Sequence, residues 1–375
     1  MQKQYEYLPS FPAVEDVWTV LAKERRPIVV YGMGNGADKL LSRFAERNIE
    51  VADFFASDGF VRGHSFHGKR VLSFSEIKEK YKDFHIVLSF ASNRPDVLSL
   101  LYAIDGEYDM TMPDLPVVGE DTFTKEFYNR HEKEIKAVYD LLCDEHSRLL
   151  LGAVLYYKLS GKIAYLRNCL STPEECYSLF RFGSVKTAID AGAYNGDTAE
   201  EMLSINPNIS HIVAIEPDKR NFKKLSDKAL KIPSLQPINA AVADKEGITE
   251  FSASGNRNST LNEGSYKKKV ESVSLMTIDS LALSPDYIKY DVEGAEAAAL
   301  IGSRQTIKES RPFLTVSLYH RNEDIFTLPL LCSRFAEDYR FYLRRTPSLP
   351  AWELRLIGVP TEKAVSEYGE GENNA

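Results

Sequence analysis

Twice in this chain a short apolar run ends in glycines and passes at once into a helical pattern. The two stretches are "VVYGMGNGADKLL" at Val29–Leu41 and "TAIDAGAYNGDTAEEM" at Thr187–Met202. An apolar run of four or five residues without polar alternation is a strand buried on both faces, and such strands belong to parallel sheets covered by helices. The glycines make the tight turn from strand to helix, because a residue without Cβ tolerates left-handed dihedrals and close backbone approach. The same alternation continues around each loop, so an α/β fold with two sheets is expected.

A chain of 375 residues is too long for one ordinary core. The expected division is a smaller N-terminal α/β domain over 1–120, a helical connector over 121–184, a larger α/β domain over 185–362 and a frayed tail over 363–375. The connector contains "KEFYNRHEKEIKAVYDLLCDEHSRLLLGAVLYYKLSG", apolar at helical spacing, whose Tyr and Leu stripes read as core. "STPEECYSLF" opens a further helix, with Ser171 or Thr172 as cap and Pro173 in its first turn. In the larger domain "TAIDAGA", "HIVAIEP", "LQPINAAVA", "YIKYDVEG" and "FLTVSLYH" read as strands. "ITEFSAS" and "VESVSLMTID" are extended segments around a polar loop, and "YRFYLRRT" and "WELRLIGVP" an antiparallel pair that closes the sheet.

The net charge of −8 gives no electrostatic reason to expect nucleic acid as a partner. The one compact basic run, Lys267–Lys269, reads as a solvated loop or strand edge. The four cysteines, Cys143, Cys169, Cys176 and Cys332, fit neither a zinc site nor a disulfide framework, which points to reduced thiols in a cytoplasm. The N-terminus lacks signal-peptide character, and no run of about 18 apolar residues suggests a membrane span.

In an open parallel sheet, ligands settle at the carboxyl ends of the strands near the reversal of strand order. The acids and glycines of the larger domain gather at those ends. Asp190, Gly192, Ala193, Tyr194, Gly196 and Asp197 follow its first strand, and Glu216 with Pro217 ends the second, about twenty residues on. A carboxylate at Glu216 can accept hydrogen bonds from two ribose hydroxyls. The small residues around Ala241 and Val242 leave room for an adenine, and Asp244 just past them suits a turn former. Asp291 ends the fourth strand and His320 the fifth. With Glu293 and Glu296 they are candidates for a base, Asp291 and His320 being the favoured pair, and Asp291, Glu293 and His320 are candidates for an oxygen-rich Mg²⁺ site. Glu293 and Glu296 also stand where acids stabilise a helix N-terminus.

The ordered set "IDAGAYNGDTAEEM", "VAIEPDKRNFKKL", "INAAVADKEGITEF", "TIDSL" and "YIKYDVEGAEAAALIG" resembles FkbM-type methyltransferases over roughly Ala188–Val359. The ending "SLYHRNEDIFTLPLL…YRFYLRR" looks like the tail of that family. The resemblance implies a Rossmann-like class I methyltransferase sheet, seven-stranded with its last strand antiparallel. It implies S-adenosyl-L-methionine (SAM) as cofactor and methyl transfer, most often to a hydroxyl oxygen. Carried over by position, Asp190, Gly192 and Gly196 would cradle the methionine part of SAM, Glu216 would take its ribose, and Asp244 could reach the adenine amino group. The expected acceptor is a carbohydrate or other small hydroxylated metabolite, bounded by the connector near Tyr156–Tyr177 and the polar loop Gly255–Lys269.

The first glycine loop fits G-x-G-x-x-A, with Gly32, Gly34 and Ala37 in the three places, Gly36 between them, and Asp58 about twenty residues beyond. It resembles the N-terminal Rossmann-like domains of sugar-modifying enzymes. Two uses stay open: a second nucleotide site, or a scaffold for docking or homo-oligomer formation. Two rival functions follow from these loops. One is a non-catalytic SAM- or nucleotide-binding scaffold; the other is an NAD(P)-dependent sugar-modifying enzyme that uses the first loop. His64 and His67 read as surface residues.

Overall fold

The computed structural model describes residues 14–61, 63–168, 170–253, 260–261 and 269–364, with side chains 251–253, 260–261 and 269–271 left out. Cys169, the N-terminus before residue 14, most of the polar loop with Lys267 and Lys268, and the tail beyond 364 lie outside the described residues.

Helix α1 (Val17–Lys23), capped by the Asp16 carboxylate, precedes a first sheet. The chain runs through β1 (Ile28–Tyr31), α2 (Asn35–Ala45), β2 (Asp53–Ala56) and a small hairpin of β3 (Ser65–Phe66) and β4 (Lys69–Arg70). It continues through β5 (Leu72–Ser73), α3 (Phe74–Lys80), β6 (His85–Leu88), α4 (Pro95–Glu107) and β7 (Met110–Thr111). Five of these strands form one sheet in the order β5-β2-β1-β6-β7, all parallel.

The helical region divides where the sequence reads as nearly continuous: α5 (Lys125–Arg130), α6 (Glu132–Leu141) and α7 (Glu145–Ser160). The break before α7 is local. Asp144 is extended and its carboxylate accepts from Ser147 N at 2.8 Å, so the chain restarts as a capped helix. Helix α8 (Pro173–Ser178) begins with a Thr172–Glu175 capping box and Pro173 in the first turn.

The second sheet comprises β8 (Thr187–Ala191), β9 (His211–Ile215) and β10 (Leu235–Ile238), joined by α9 (Asp197–Ile205) and α10 (Lys219–Ala229). One expected strand is in fact two. After Ile238 the chain turns, and β11 (Ala241–Val242) pairs with a separate four-stranded sheet, β11-β14-β12-β13. That sheet is built from β12 (Gly247–Ala253), β13 (Thr260–Leu261) and β14 (Lys269–Met276). The main sheet resumes with β15 (Tyr287–Tyr290), α11 (Glu296–Ile301), α12 (Arg304–Ser310) and β16 (Phe313–Ser317). Then follow α13 (Asp324–Phe335), β17 (Tyr339–Arg345) and β18 (Leu354–Pro360). Its order is β10-β9-β8-β15-β16-β18-β17: the last strand is antiparallel, and it is inserted between β16 and β17. Strand order reverses at β8–β15, which opens a crevice at their carboxyl ends.

Alternate residues of each buried strand serve opposite faces. Val29 and Tyr31 of β1, Ile189 and Ala191 of β8, and Leu150, Val154 and Leu155 of α7 belong to one apolar cluster that joins the two sheets. Ile28 and Val30 enter a separate cluster under α1 and α2, and Ala188, Ile212 and Tyr287 a third under α8 and α9. No described helix is long and apolar enough to cross a membrane.

Candidate active site

A cleft of about 320 Å³ opens at the carboxyl ends of β8, β9 and β15. Gly192, Tyr194, Asp197, Glu216, Pro217, Val242, Asp291 and Glu293 line it, as the sequence reading expects. Asp190, Ala193, Gly196, Ala241, Asp244 and His320 do not. Ala193 and Ala241 turn into apolar clusters, and Gly196 is packed against Leu225 and Lys228. Asp244 is exposed beyond the wall.

The β8 loop bends through left-handed dihedrals at Gly192 (φ 87°), Tyr194 (φ 49°) and Gly196 (φ 81°). Gly192 is required by packing: a Cβ there would lie 1.9 Å from the Asp291 carbonyl oxygen, so this glycine lets the β8 and β15 loops touch. Glu216 stabilises the same bend. One carboxylate oxygen accepts from Tyr194 N and the other from Asp218 N, both at 2.8 Å. Burial pushes its pKa up to about 7 despite these bonds.

Beneath the loop, Asp190 is fully buried and accepts from Lys289 Nζ at 3.3 Å. Burial pushes Asp190 up to about 6, against the pull of Lys289. Lys289 lies on an otherwise apolar strand. Burial opposes its charge, but the carboxylates of Asp190 and Asp291 outweigh that and keep it protonated.

The β15 and β16 loops bring together four acids and one histidine. Asp291 Oδ1 accepts from the Tyr319 hydroxyl at 3.1 Å, and Oδ2 faces Lys289 at 3.4 Å. Burial would raise its pKa, yet Lys289 and His320 hold it well below the usual carboxylate range. His320 is fully buried, with Nδ1 2.8 Å from Glu296 Oε1 and Nε2 3.6 Å from both Asp291 and Glu293. Burial works against its charge, but Glu296, Glu293 and Asp291 together raise it to about 10. Glu293, in a left-handed conformation (φ 51°) unusual for a side-chain-bearing residue, lines the cleft. Burial raises it to about 8, with the Asp291 charge adding and His320 opposing. Asp324 accepts from Arg321 N at 2.8 Å, and burial pushes it up as well.

The expected metal set was Asp291, Glu293 and His320. The atoms that come within 4.8 Å of one another belong to Asp291, Glu296 and His320. Glu296 is therefore more than a helix-terminus charge: it is buried, and Oε1 accepts from Val292 N at 2.8 Å.

Residues 190–345 match the family model described as the methyltransferase FkbM domain. This segment is similar to the FkbM methyltransferase domain. The fold is similar to that of methyltransferase FkbM from Methylobacillus flagellatus KT over 95% of this chain and 97% of the other, at 20% identity and a TM-score of 0.68. Lower likenesses include an rRNA methylase from Streptococcus thermophilus, at 11% identity over 51% of this chain and 97% of the other, with a TM-score of 0.34. Another is precorrin-6y C5,15-methyltransferase from Geobacter metallireducens GS-15, at 12% identity over 51% and 89%, with a TM-score of 0.30. No curated protein matches the chain.

Several groups at the cleft escape sequence reasoning. Tyr319 lines it from the loop after β16, Arg355 from β18, and Thr346, Pro347 and Glu353 from the loop between β17 and β18. Lys289 does leave a signal, as a lone cation inside "YIKY". Asn93 does not: it reaches the cleft from the first sheet's β6 loop. The Ser92–Leu349 backbone pair, at 2.8 and 2.9 Å, ties that loop to the cleft rim.

The first glycine loop is explained in part by this packing. A Cβ on Gly36 would lie 2.1 Å from the Ser89 carbonyl oxygen, and one on Gly32 2.7 Å from Ser89 Oγ, whereas Gly34 meets nothing within 4 Å. Asp58 is held by Ser75, whose Oγ and N donate at 2.6 and 3.1 Å. His67 is exposed and meets Asp38 at 2.8 Å.

Proposed function

We propose that this chain is a SAM-dependent methyltransferase that acts on a hydroxyl oxygen of a carbohydrate or other small metabolite. The observation that supports it most is the opposition, across one cleft, of a glycine loop braced by Glu216 and the acid loop Asp291–Glu293. The residues fit SAM on their own chemistry. Asn221 lines the cleft, and its buried Oδ1 is an acceptor without a hydrogen-bond partner, suited to a ligand with a charged amine and hydroxyl donors. Glu216 would take the ribose hydroxyls, and the Gly192–Gly196 backbone would lie along the methionine part. When bound, SAM supplies a methyl group already activated by its sulfonium.

The chain's own work is then alignment and proton removal. Fixed loops hold the acceptor oxygen in line, which supplies much of the acceleration. The sequence reading favoured Asp291 and His320 for the proton. The geometry favours Glu293 instead. Asp291 is engaged by Tyr319 and Lys289, and His320 is fully buried, whereas Glu293 faces the cleft. Asp291 and Tyr319 position the acceptor side.

Calorimetric titration with SAM and with NAD(H), followed by assay of labelled SAM against nucleotide sugars and glycans, tests the reading. SAM is expected to bind. Once an acceptor is found, Glu293→Gln should lower turnover roughly 10²-fold or more with SAM affinity kept. Binding of NAD(H) alone would overturn the proposal in favour of an oxidoreductase. SAM binding without S-adenosylhomocysteine release from any acceptor would favour a scaffold.

A further inference from the structure

We infer that Asp291, Glu296 and His320 form a binding site for one divalent first-row transition ion of the Mn²⁺ class, at the floor of the cleft. One ligand atom of each lies within 4.8 Å of the other two, as three ligands of a single ion require. Two of these side chains carry orphaned atoms: Glu296 Oε2 and His320 Nε2 are buried and have no hydrogen-bond partner. Leaving such groups unsatisfied in a core is costly. His320 Nε2 points between Asp291 Oδ1 and Glu293 Oε2, each 3.6 Å away, too far for a hydrogen bond. An ion bound by both atoms of such a pair, at bonds of about 2.1 Å, spans that gap.

The donor set selects the ion. Carboxylates suit Mg²⁺, Ca²⁺ and Mn²⁺, while an imidazole nitrogen shifts preference toward first-row transition ions. A mixed set of two carboxylates and one imidazole therefore favours Mn²⁺ over Mg²⁺. Access comes through Asp291, about one-fifth exposed to the cleft, while Glu296 and His320 close the site from below. Lys289 does not block it, because it faces Oδ2 of Asp291; Oδ1 lies toward His320 and keeps a second lone pair beside the one that accepts from the Tyr319 hydroxyl at 3.1 Å. Glu24, His85 and Asp109 make a similar cluster in the first sheet, but that one already holds two cations. Arg26 bonds Glu24 and Asp109 at 2.6 Å, and Lys162 pairs with Asp109. An ion at Asp291 would reach the cleft and could lower the pKa of an acceptor hydroxyl there.

The inference is tested without SAM or acceptor, so its failure leaves the methyltransferase reading intact, and the reverse. Mn²⁺ is titrated into the full chain, stripped with chelator, and free ion is followed by electron paramagnetic resonance. One ion per chain is expected. Asp291→Asn, Glu296→Gln and His320→Asn should each weaken binding about 10- to 100-fold, while Glu24→Gln leaves it unchanged. Circular dichroism and thermal melting check that each variant is folded. Asp291→Asn, partly exposed, serves if the buried substitutions do not fold. Absence of stoichiometric binding in the unaltered chain overturns the proposal, as does equal binding by folded Asp291→Asn or displacement by equimolar Mg²⁺.

Discussion

Glu216 shows how one buried carboxyl couples ligand binding to pH. Its folded-state pKa, about 7, stands above the ordinary 4.5 because burial disfavours its charge. The proton-linked stability is thus present at low pH and is lost as the pH rises through about 7. Ligand binding works in the other direction, since only the ionised carboxylate can accept from two ribose hydroxyls while holding Tyr194 N and Asp218 N. SAM affinity measured by calorimetry should therefore fall as the pH is lowered through about 7. Glu216→Gln should flatten that profile and weaken SAM by roughly 10- to 100-fold. Gly192 is a different case. Gly192→Ala places a Cβ 1.9 Å from the Asp291 carbonyl in a left-handed residue, so chemical denaturation should show a loss of roughly 2–5 kcal/mol. Position and type of both residues were legible in "DAGAYNG" and "AIEP". That Gly192 serves the neighbouring loop was not, because Asp291 lies far away in sequence.

Helix α7 is held to β17 through Ser147, which is fully buried. Its hydroxyl accepts from Leu343 N at 2.8 Å and from Arg344 Nη1 at 3.0 Å, and Asp144 pairs with the same guanidinium at 2.6 Å. Ser147→Ala orphans a buried N–H and should cost about 1–3 kcal/mol in urea unfolding, with the slope unchanged. A cost below a few tenths would show that the contact is dispensable. At the level of these elements, apolar periodicity carried most of the information. It marked β1, β8, β9, β15 and the α7 stripe, because burial on one or two faces writes a local pattern. It joined β10 to β11 because no local residue marks the turn between sheets. It also ran α5, α6 and α7 together, because apolar spacing does not register the restart at α7, where the Asp144 carboxylate caps the helix by accepting from Ser147 N.

The two sheets share one apolar cluster through α7, and the interface adds polar links: Ser92 with Leu349, Val118 N donating to His320 O at 2.9 Å, and the buried Lys158–Asp114 pair. A molecule joined in this way should unfold as one unit. Scanning calorimetry is expected to show a single cooperative transition for the full chain, and two well-separated transitions would refute the coupling. Lys158→Met alone leaves a buried uncompensated carboxylate and should lower that transition strongly, by about 3–5 kcal/mol of stability. The first sheet thereby acquires a part in the cleft, supplying Asn93 to its rim.

By itself the sequence determined the α/β alternation, both glycine loops, and the acids at the carboxyl ends of the strands. All of these are written within a few residues by side-chain period and backbone freedom. Only the tertiary structure decided which groups converge. Asp190 meets Lys289 across 99 positions, Glu296 turns inward to His320, and Glu293 faces the cleft while His320 does not. It also decided that Gly32 and Gly36 pack against the β6 loop behind Asn93. Such meetings depend on strand order and on the approach of loops distant in the chain, and no local pattern encodes either.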